Sequence, residues 1–241
     1  MAKLGAIYYT DNRIDGSLIS NTCREKIREG FDGEIISVSL KPIDFGKNIV
    51  LENENRSYLT MVKQILMALE HSTADYVFYL EHDVLYHPSH FDYVPPTDDV
   101  YYYNTNNWRW WFLSNKLITY GKLSALSSLC CNRELAIRHY RYRLQLIEER
   151  GLDKIGGRDP GWARRLGYEP GTKPIRRGGV TDETHIRRRS EFPIIDIRHK
   201  YTFSPPKVNY EDYIRKPTNW QEPTMDEVPG WNLKDLFKGV L

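Results

Sequence analysis

The chain has 241 residues, of which 40% are hydrophobic and 27% are charged, and its formal net charge at pH 7 is +2. This composition is that of a globular protein able to bury a core, and a charge so near zero does not by itself indicate nucleic-acid binding. No stretch approaches the roughly 18 apolar residues of a membrane-spanning helix, and the apolar run at the N-terminus is too short for a signal peptide. The three cysteines show no CxxC spacing, which favours a reduced, cytoplasmic setting.

The first hundred residues alternate between strand and helix patterns. Helical periodicity covers residues 57–72, and residues 19–31 have helical character with Asn21 or Thr22 as N-cap. Short runs rich in β-forming residues are predicted as strands at 4–10, 33–40, 75–84 and 100–104. This alternation predicts an α/β fold with a mostly parallel central sheet and covering helices.

The second half of the chain is less regular. Residues 105–131 are aromatic and predicted to be irregular, and residues 132–150 form a long helix that Asn132 opens. Beyond Gly151 the chain is rich in Gly, Pro and Arg, and from Pro205 onward it has the character of an extended tail. We therefore predict one large domain over residues 1–204 and a C-terminal tail over residues 205–241 that packs on it.

An acidic motif follows the predicted strand at 75–84. Glu81, His82 and Asp83 come directly after an apolar run, at the kind of strand end beyond which open α/β sheets bind ligands. A carboxylate there can hold a divalent cation, which in turn can bridge a diphosphate and neutralise charge as a bond to it breaks. The alternative is that Asp83 caps a turn and His82 packs in the core.

Polar residues also follow the first strand. Tyr9 can stack on a pyrimidine, Asp11 or Asn12 can hydrogen-bond to its edge, and Arg13 can contact a phosphate. An ordinary polar turn between strand and helix is the alternative.

The Glu-His-Asp motif resembles the short acidic motif of GT-A glycosyltransferases, written DxD or a variant of it, and it lies where that fold places it. Residues 157–171 resemble the segment that carries the catalytic base of inverting members, with Asp159 at the position of the base. Arg158 and Pro160 depart from the usual form of that segment. The fold commonly completes its metal shell with a late histidine, for which His199 is the candidate and His185 the competitor, and imidazole suits Mn²⁺ better than Mg²⁺.

The chain up to about residue 205 is similar to small phage-type GT-A glycosyltransferases related to the enzymes that glucosylate hydroxymethylated DNA bases. That group includes base J glucosyltransferase and the glycosyltransferases linked to TET hydroxylases. The segments that carry the resemblance are YYTDNR (8–13), KPIDFGKNI (41–49), SYLTMVKQILMALE (57–70), EHDVLYHPSHF (81–91), YYYNTNNWRW (101–110) and DIRH (196–199).

The resemblance implies a catalytic domain that uses Mn²⁺ or Mg²⁺ to transfer a sugar from a UDP-sugar with inversion at the anomeric carbon. The implied acceptor is a 5-hydroxymethylpyrimidine in DNA, with 5-hydroxymethylcytosine as the leading candidate. Asp159 would be the base, and the metal ligands would be Asp83, Glu81 and His199. The donor nucleotide would contact Tyr9, Thr10, Asp11, Arg13, Lys63, Gln64 and His82. The acceptor or DNA would contact Asn106, Trp108, Arg109, Trp162, Arg176, Arg177, Arg187 and Arg188.

Basic residues gather in the last third of the chain, beside aromatic residues such as Trp162 and Tyr168. They could form a surface that follows phosphates next to a flipped-out base. A solvated face balanced by Asp182, Glu183 and Glu191 is the alternative. Two rival hypotheses remain open: the same donor chemistry on a glycan or protein acceptor, and a non-catalytic module that binds nucleotide sugars or DNA.

Overall fold

The structure is a computed structural model, and it describes residues 2–121, 123–151, 170–171, 185–202 and 210–238. The helices are α1 (Leu18–Gly30), α2 (Tyr58–His71), α3 (Arg133–Arg150) and α4 (Leu233–Leu236). The strands in the first half are β1 (Leu4–Thr10), β2 (Glu34–Ser39), β3 (Lys47–Val50), β4 (Tyr76–Glu81), β5 (Val84–Leu85), β6 (Tyr101–Asn104) and β7 (Asn107–Trp111). Those in the second half are β8 (Lys116–Ile118), β9 (Leu129–Asn132), β10 (His185–Arg188) and β11 (Ile194–Arg198).

A seven-stranded sheet forms the centre of the protein, in the order β10-β6-β9-β4-β1-β2-β3. Strand β1 is parallel to both β2 and β4, β2 is parallel to β3, and β6 is parallel to β10. Only β9 runs antiparallel within this sheet, between β4 and β6. The expected α/β fold with a mostly parallel central sheet is confirmed.

Helix α2 covers one face of this sheet because its apolar side chains recur at helical spacing. Val62, Ile65 and Leu69 are at most 1% exposed and pack with residues of β1, β2, β4 and α3 in one core. Each such side chain contributes roughly 1.5–3 kcal/mol by its burial. The helix begins at Tyr58 because the Ser57 hydroxyl accepts a hydrogen bond from the Thr60 amide at 3.0 Å.

Helix α1 begins earlier than expected. Its N-cap is Ser17, whose hydroxyl accepts from the Ser20 amide at 3.3 Å. The prediction of Asn21 or Thr22 as N-cap was therefore wrong, since both residues lie inside the helix and Thr22 is buried.

The aromatic segment predicted to be irregular contains two whole strands, β7 and β8, and the first three residues of β9, which belongs to the large sheet. Strands β7 and β8 belong to a second sheet of four strands, in the order β5-β11-β7-β8. Side chains of β7 alternate between its faces, so Trp108 and Trp110 lie on one side and Arg109 and Trp111 on the other. The partner strand β11 is distant in sequence, and local periodicity does not reveal such a pairing.

The C-terminal residues 210–238 pack on both faces of the second sheet. Val228, Leu233 and Phe237 join Trp108 and Trp110 in one core. On the other face, a separate cluster packs Tyr213 against Trp111 and Ile118. The boundary proposed between residues 204 and 205 lies outside the described residues, and the division into domain and tail stays a prediction.

Among the residues that the structure describes, no helix has the length and apolar character needed to cross a membrane.

Candidate functional site

Three side chains that can bind a metal meet where β4 and β11 end. His82 and Asp83 lie in the turn between β4 and β5, and His199 follows β11 directly. Strands β5 and β11 are antiparallel neighbours, and the Ile197 amide donates to the Asp83 carbonyl at 2.8 Å. One ligand atom from each of His82, Asp83 and His199 lies within 4.8 Å of the others. We refer to these three residues as the metal cluster.

Hydrogen bonds orient the imidazole of His199. Its Nδ1 lies 3.2 Å from the Tyr201 amide nitrogen, and its Nε2 faces the Asp83 carboxylate at 3.1 Å. The Nδ1 atom of His82 is buried and has no hydrogen-bond partner among the described residues. A buried polar atom without a partner is costly, and a metal ion at this point would remove that cost.

The donor atoms of the metal cluster fit a transition-metal ion. Two imidazole nitrogens and one carboxylate oxygen suit Mn²⁺ and its heavier neighbours better than Mg²⁺ or Ca²⁺, which prefer oxygen ligands alone. Burial by itself would raise the pKa of Asp83. The imidazoles of His82 and His199 and the guanidinium of Arg198 outweigh burial and hold that pKa below its usual range, which favours the anionic form that binds cations.

Glu81 stands apart from the metal cluster. It lies opposite Tyr9 in the pairing of β4 with β1, and its carboxylate accepts a hydrogen bond from the Tyr9 hydroxyl. Burial and the nearby carboxylate of Asp83 raise the pKa of Glu81 to about 8. The structure thus groups His82, rather than Glu81, with Asp83 and His199, and a ligand role for Glu81 stays a prediction.

The residues after β1 form a second polar group close to the metal cluster. The Asp11 carboxylate accepts from the Arg13 amide at 3.0 Å and pairs with the Arg56 guanidinium at 2.5 Å. Arg56 also donates to the Tyr201 carbonyl at 3.5 Å, and the Arg13 guanidinium lies 5.7 Å from the centre of the Tyr201 ring. The loop at 199–202 therefore joins this group to His199. Neither Arg56 nor Tyr201 belongs to a recognisable motif, so the sequence gives no signal that either lies at the site.

The two predicted nucleotide-binding residues on α2 are engaged within the protein. Gln64 is buried, and its amide donates to the carbonyls of Thr10 at 2.8 Å and Val38 at 3.2 Å, which fixes the ends of β1 and β2. Lys63 forms an ion pair with Glu54. Direct contacts of Lys63, Gln64 and Thr10 with a nucleotide stay predictions.

A buried charge network lies on the second sheet next to the metal cluster. Asp196 of β11 pairs with Arg198 at 2.5 Å and with Arg109 of β7 at 3.7 Å. Arg109 also donates to the hydroxyl of Tyr213 from the C-terminal segment. The sequence predicted Arg109 as a site residue but missed Asp196 and Arg198, whose grouping with it depends on the pairing of β7 with β11.

The remaining predicted acceptor residues are dispersed. Trp108 is buried in the core of the second sheet, and Asn106 is buried with its amide donating to the Ser190 carbonyl at 3.0 Å. Arg188 turns inward, donating to the His90 carbonyl at 2.8 Å, with its guanidinium 4.4 Å from the centre of the Tyr93 ring. Arg187 is exposed on β10.

Several predicted site residues lie outside the described residues. The candidate base Asp159 is one of them, and so are Trp162, Arg176 and Arg177. His185, the competing late histidine, is buried beside Tyr103 and does not belong to the metal cluster.

No protein-family model and no curated protein sequence matches the chain. Among solved structures, it resembles the glycosyltransferase GlyE of Streptococcus pneumoniae TIGR4, with 9% identity over 78% of this chain and 45% of that chain and a TM-score of 0.45. A glycosyltransferase involved in the glycosylation of the major capsid of PBCV-1 matches with 10% identity over 78% and 82% of the two chains and a TM-score of 0.44. The mannosyltransferase PcManGT from Pyrobaculum calidifontis, in complex with GDP-Man and Mn²⁺, matches with 13% identity over 84% and 59% and a TM-score of 0.43.

This chain spans less than half the length of the GlyE chain and less than two thirds of the PcManGT chain. At TM-scores below 0.5 these similarities establish neither a common fold nor a common activity.

Proposed function

We propose that this protein is a metal-dependent glycosyltransferase of the GT-A type that transfers a sugar from a nucleoside diphosphate sugar, such as a UDP-sugar, to a hydroxyl group. The observation that carries the proposal is the position of the metal cluster. His82 and Asp83 follow β4, and His199 follows β11 beside them. The loop at 199–202 contacts Arg56, which pairs with Asp11 just after the end of β1.

The position matters because β1 and β4 are adjacent and parallel, so that their carboxyl ends lie at the same edge of the sheet. Ligands of open α/β sheets bind at such an edge. Arg13 and Tyr201 stand at this edge with their guanidinium and ring close together, a pairing suited to a phosphate and a flat base. We expect the nucleotide to lie over the end of β1 and its diphosphate to point toward Asp83.

His82, Asp83 and His199 would hold the divalent cation. When bound, the cation supplies charge neutralisation for the diphosphate leaving group. The acceptor oxygen forms a bond to the anomeric carbon of the sugar while the bond from that carbon to the diphosphate oxygen breaks and its electron pair leaves on the diphosphate. The hydroxyl proton passes to a base, for which Asp159 is our candidate. Inversion at the anomeric carbon follows from this single displacement.

A 5-hydroxymethylpyrimidine in DNA has less support as the acceptor. Arg176 and Arg177 lie outside the described residues, and the guanidinium of Arg188 is occupied inside the protein. Arg187 remains as an exposed cation on β10. DNA is therefore tested as an acceptor beside saccharides rather than made part of the proposal.

The test is release of nucleoside diphosphate from UDP-glucose, UDP-galactose, UDP-N-acetylglucosamine and GDP-mannose, with Mn²⁺ or with EDTA. We expect Mn²⁺-dependent release from one donor, and a loss of about 100-fold or more in Asp83→Asn. Glu70→Gln is the matched control, since Glu70 forms a surface ion pair with Arg141 and should leave release unchanged. Binding of nucleotide and Mn²⁺ without consumption of any donor would instead indicate a non-catalytic module.

A further inference from the structure

A group of aromatic rings covers the face of the second sheet that also carries Asp196 and Arg198. Tyr120 and Trp220 are nearly parallel, with an angle of 13° and a centroid distance of 6.0 Å, and the Tyr213 ring lies 4.9 Å from Trp220. These rings rest on Trp111 and Ile118 of the sheet. We refer to Tyr120, Tyr210, Tyr213 and Trp220 as the aromatic cap. Tyr120 and Trp220 are only partly buried, so they are open to a ligand.

A row of polar groups leads from the aromatic cap to the metal cluster. The Arg109 guanidinium lies 5.8 Å from the centre of the Tyr120 ring and donates to the Tyr213 hydroxyl. Asp196 then connects Arg109 to Arg198. Arg198 is followed directly by His199 of the metal cluster, so a ligand on the cap would lie beside the expected site of transfer.

The polar edges of the cap are already satisfied. The Glu222 carboxylate accepts from the Trp220 indole at 2.6 Å and from the Tyr210 hydroxyl at 2.7 Å. What the cap can offer a ligand is therefore the part of each ring face that the neighbouring rings, Arg109 and Lys216 leave exposed. The apolar face of a sugar ring, formed by C–H groups, packs well against such faces, with its hydroxyl groups left free at the rim.

Two lysines beside the cap are paired with carboxylates. Lys116 pairs with Glu211 at 3.7 Å, and Lys216 pairs with Glu222. Binding to a nucleic-acid backbone depends on cations that are free to replace the counterions of phosphates, and these two lysines have carboxylate partners instead. At these two lysines, the ion pairs favour an uncharged ligand over DNA.

We propose that the aromatic cap binds a neutral saccharide acceptor, whose ring packs against Tyr120 and Trp220. This inference rests on the proposed function and names its acceptor class. One hydroxyl oxygen of the saccharide forms the bond to the anomeric carbon as the bond to the diphosphate breaks, and the hydroxyl proton passes to the base. Arg109 is a positioning residue, since it holds Tyr120 and Tyr213 in place through its own contacts.

The experiment measures diphosphate release, above the rate without acceptor, on adding methyl glycosides of glucose, galactose, mannose and N-acetylglucosamine. A duplex containing 5-hydroxymethylcytosine forms a further arm. We expect one glycoside to stimulate release. Trp220→Ala and Tyr120→Ala should each raise the KM for that glycoside about 3- to 10-fold, with a smaller change in kcat, because a ring face lost from the subsite weakens binding.

Trp231→Ala is the matched control, because Trp231 lies in the same C-terminal segment but packs against His87 on the other face of the sheet. It should leave the KM for the glycoside unchanged. Trp220→Phe keeps a ring and should stay close to the wild type, which separates loss of the ring face from misfolding.

Three results overturn the inference: an equal rise in KM for Trp231→Ala, stimulation by the hydroxymethylated duplex alone, or no stimulation by any glycoside. In the last case, Mn²⁺-dependent hydrolysis of a donor would still support the transferase. Absence of donor turnover under all conditions would reject the transferase itself, together with the inference that rests on it.

Discussion

The Tyr9 hydroxyl donates a hydrogen bond to the Glu81 carboxylate across two neighbouring parallel strands, β1 and β4. Tyr9 is 6% exposed, so this contact is made at the boundary of the core. It holds Glu81 on the side of β1, while the next two residues turn toward His199. The acidic motif therefore divides into one residue that binds its neighbouring strand and two that join the metal cluster.

This division predicts different effects of two similar substitutions on metal binding. Asp83→Asn should lower the affinity for Mn²⁺ by about tenfold or more, because it removes the only carboxylate of the metal cluster among the described residues. Glu81→Gln keeps an oxygen that can accept from Tyr9 and should stay within about threefold of the wild type. Calorimetric titration of each variant with MnCl₂ measures both. An equal loss in Glu81→Gln would place Glu81 among the ligands.

The two imidazoles predict a preference among metals. At equal concentration, Mn²⁺ should raise the melting temperature of the protein more than Mg²⁺ does, because only Mn²⁺ gains from nitrogen ligands. His82→Ala should remove most of this difference. His71→Ala, at the exposed end of α2, should preserve it. Scanning calorimetry with each chloride salt is the measurement, and an equal response of the wild type to both metals would speak against His82 and His199 as ligands.

The contact between Asp11 and Arg56 predicts an indirect effect on nucleotide binding. Arg56 holds both Asp11 and the carbonyl of Tyr201, so Arg56→Ala should release the loop at 199–202 from the end of β1. We expect the affinity for UDP with Mn²⁺ to fall about tenfold or more, the range of one charge-assisted hydrogen bond. Arg141→Ala removes a surface ion pair with Glu70 and should not alter the affinity. Titration calorimetry with UDP distinguishes the two variants.

Glu34 predicts how the stability of the fold depends on pH. Burial would raise its pKa, but hydrogen bonds from the Thr73 amide at 2.7 Å and the Ser72 hydroxyl at 2.8 Å outweigh burial and lower the pKa below the ordinary value of 4.5. The folded state thus favours the carboxylate. The stabilisation from Glu34 is fully present above pH 4.5 and is lost as the pH falls through the lowered pKa.

At pH 7, Glu34→Gln should therefore reduce the free energy of unfolding by about 1 kcal/mol, a modest figure because solvent screens a partly exposed carboxylate. At pH well below 4.5 the difference between variant and wild type should shrink, since both side chains are then neutral. Glu25→Gln, on the exposed face of α1, is the control and should show little difference at either pH. Urea denaturation at the two pH values is the measurement. A difference that grows toward low pH would contradict the direction of the pKa shift.

Local pattern was enough to predict helix α2 and strand β4, the strand that leads into His82 and Asp83 of the metal cluster. Helix α2 and strand β4 carry apolar residues at the spacing of their own geometry. The sequence therefore placed both ends of α2 and the start of β4 to within about one residue, while β4 ends at Glu81, before the predicted end at residue 84. The same alternation predicted a mostly parallel sheet, and therefore which strand ends share an edge. Asp83 was proposed as a metal ligand from its place at a strand end, and the resemblance to GT-A glycosyltransferases implied His199 as another. The structure brings the two side chains within 3.1 Å of each other.

The sequence by itself thus determined the alternation of strand and helix that builds a mostly parallel sheet, and it placed Asp83 at a strand end of that sheet. Only the tertiary structure decided that His82 joins the metal cluster while Glu81 pairs with Tyr9, because the direction of each side chain depends on the register of β4 against β1 and on the turn that follows. It also decided the second sheet, the network of Arg109, Asp196 and Arg198, and the aromatic cap. Each of these depends on contacts between residues far apart in the chain, and the physical reason they escaped prediction is that periodicity records only the neighbours of a residue along its own helix or strand.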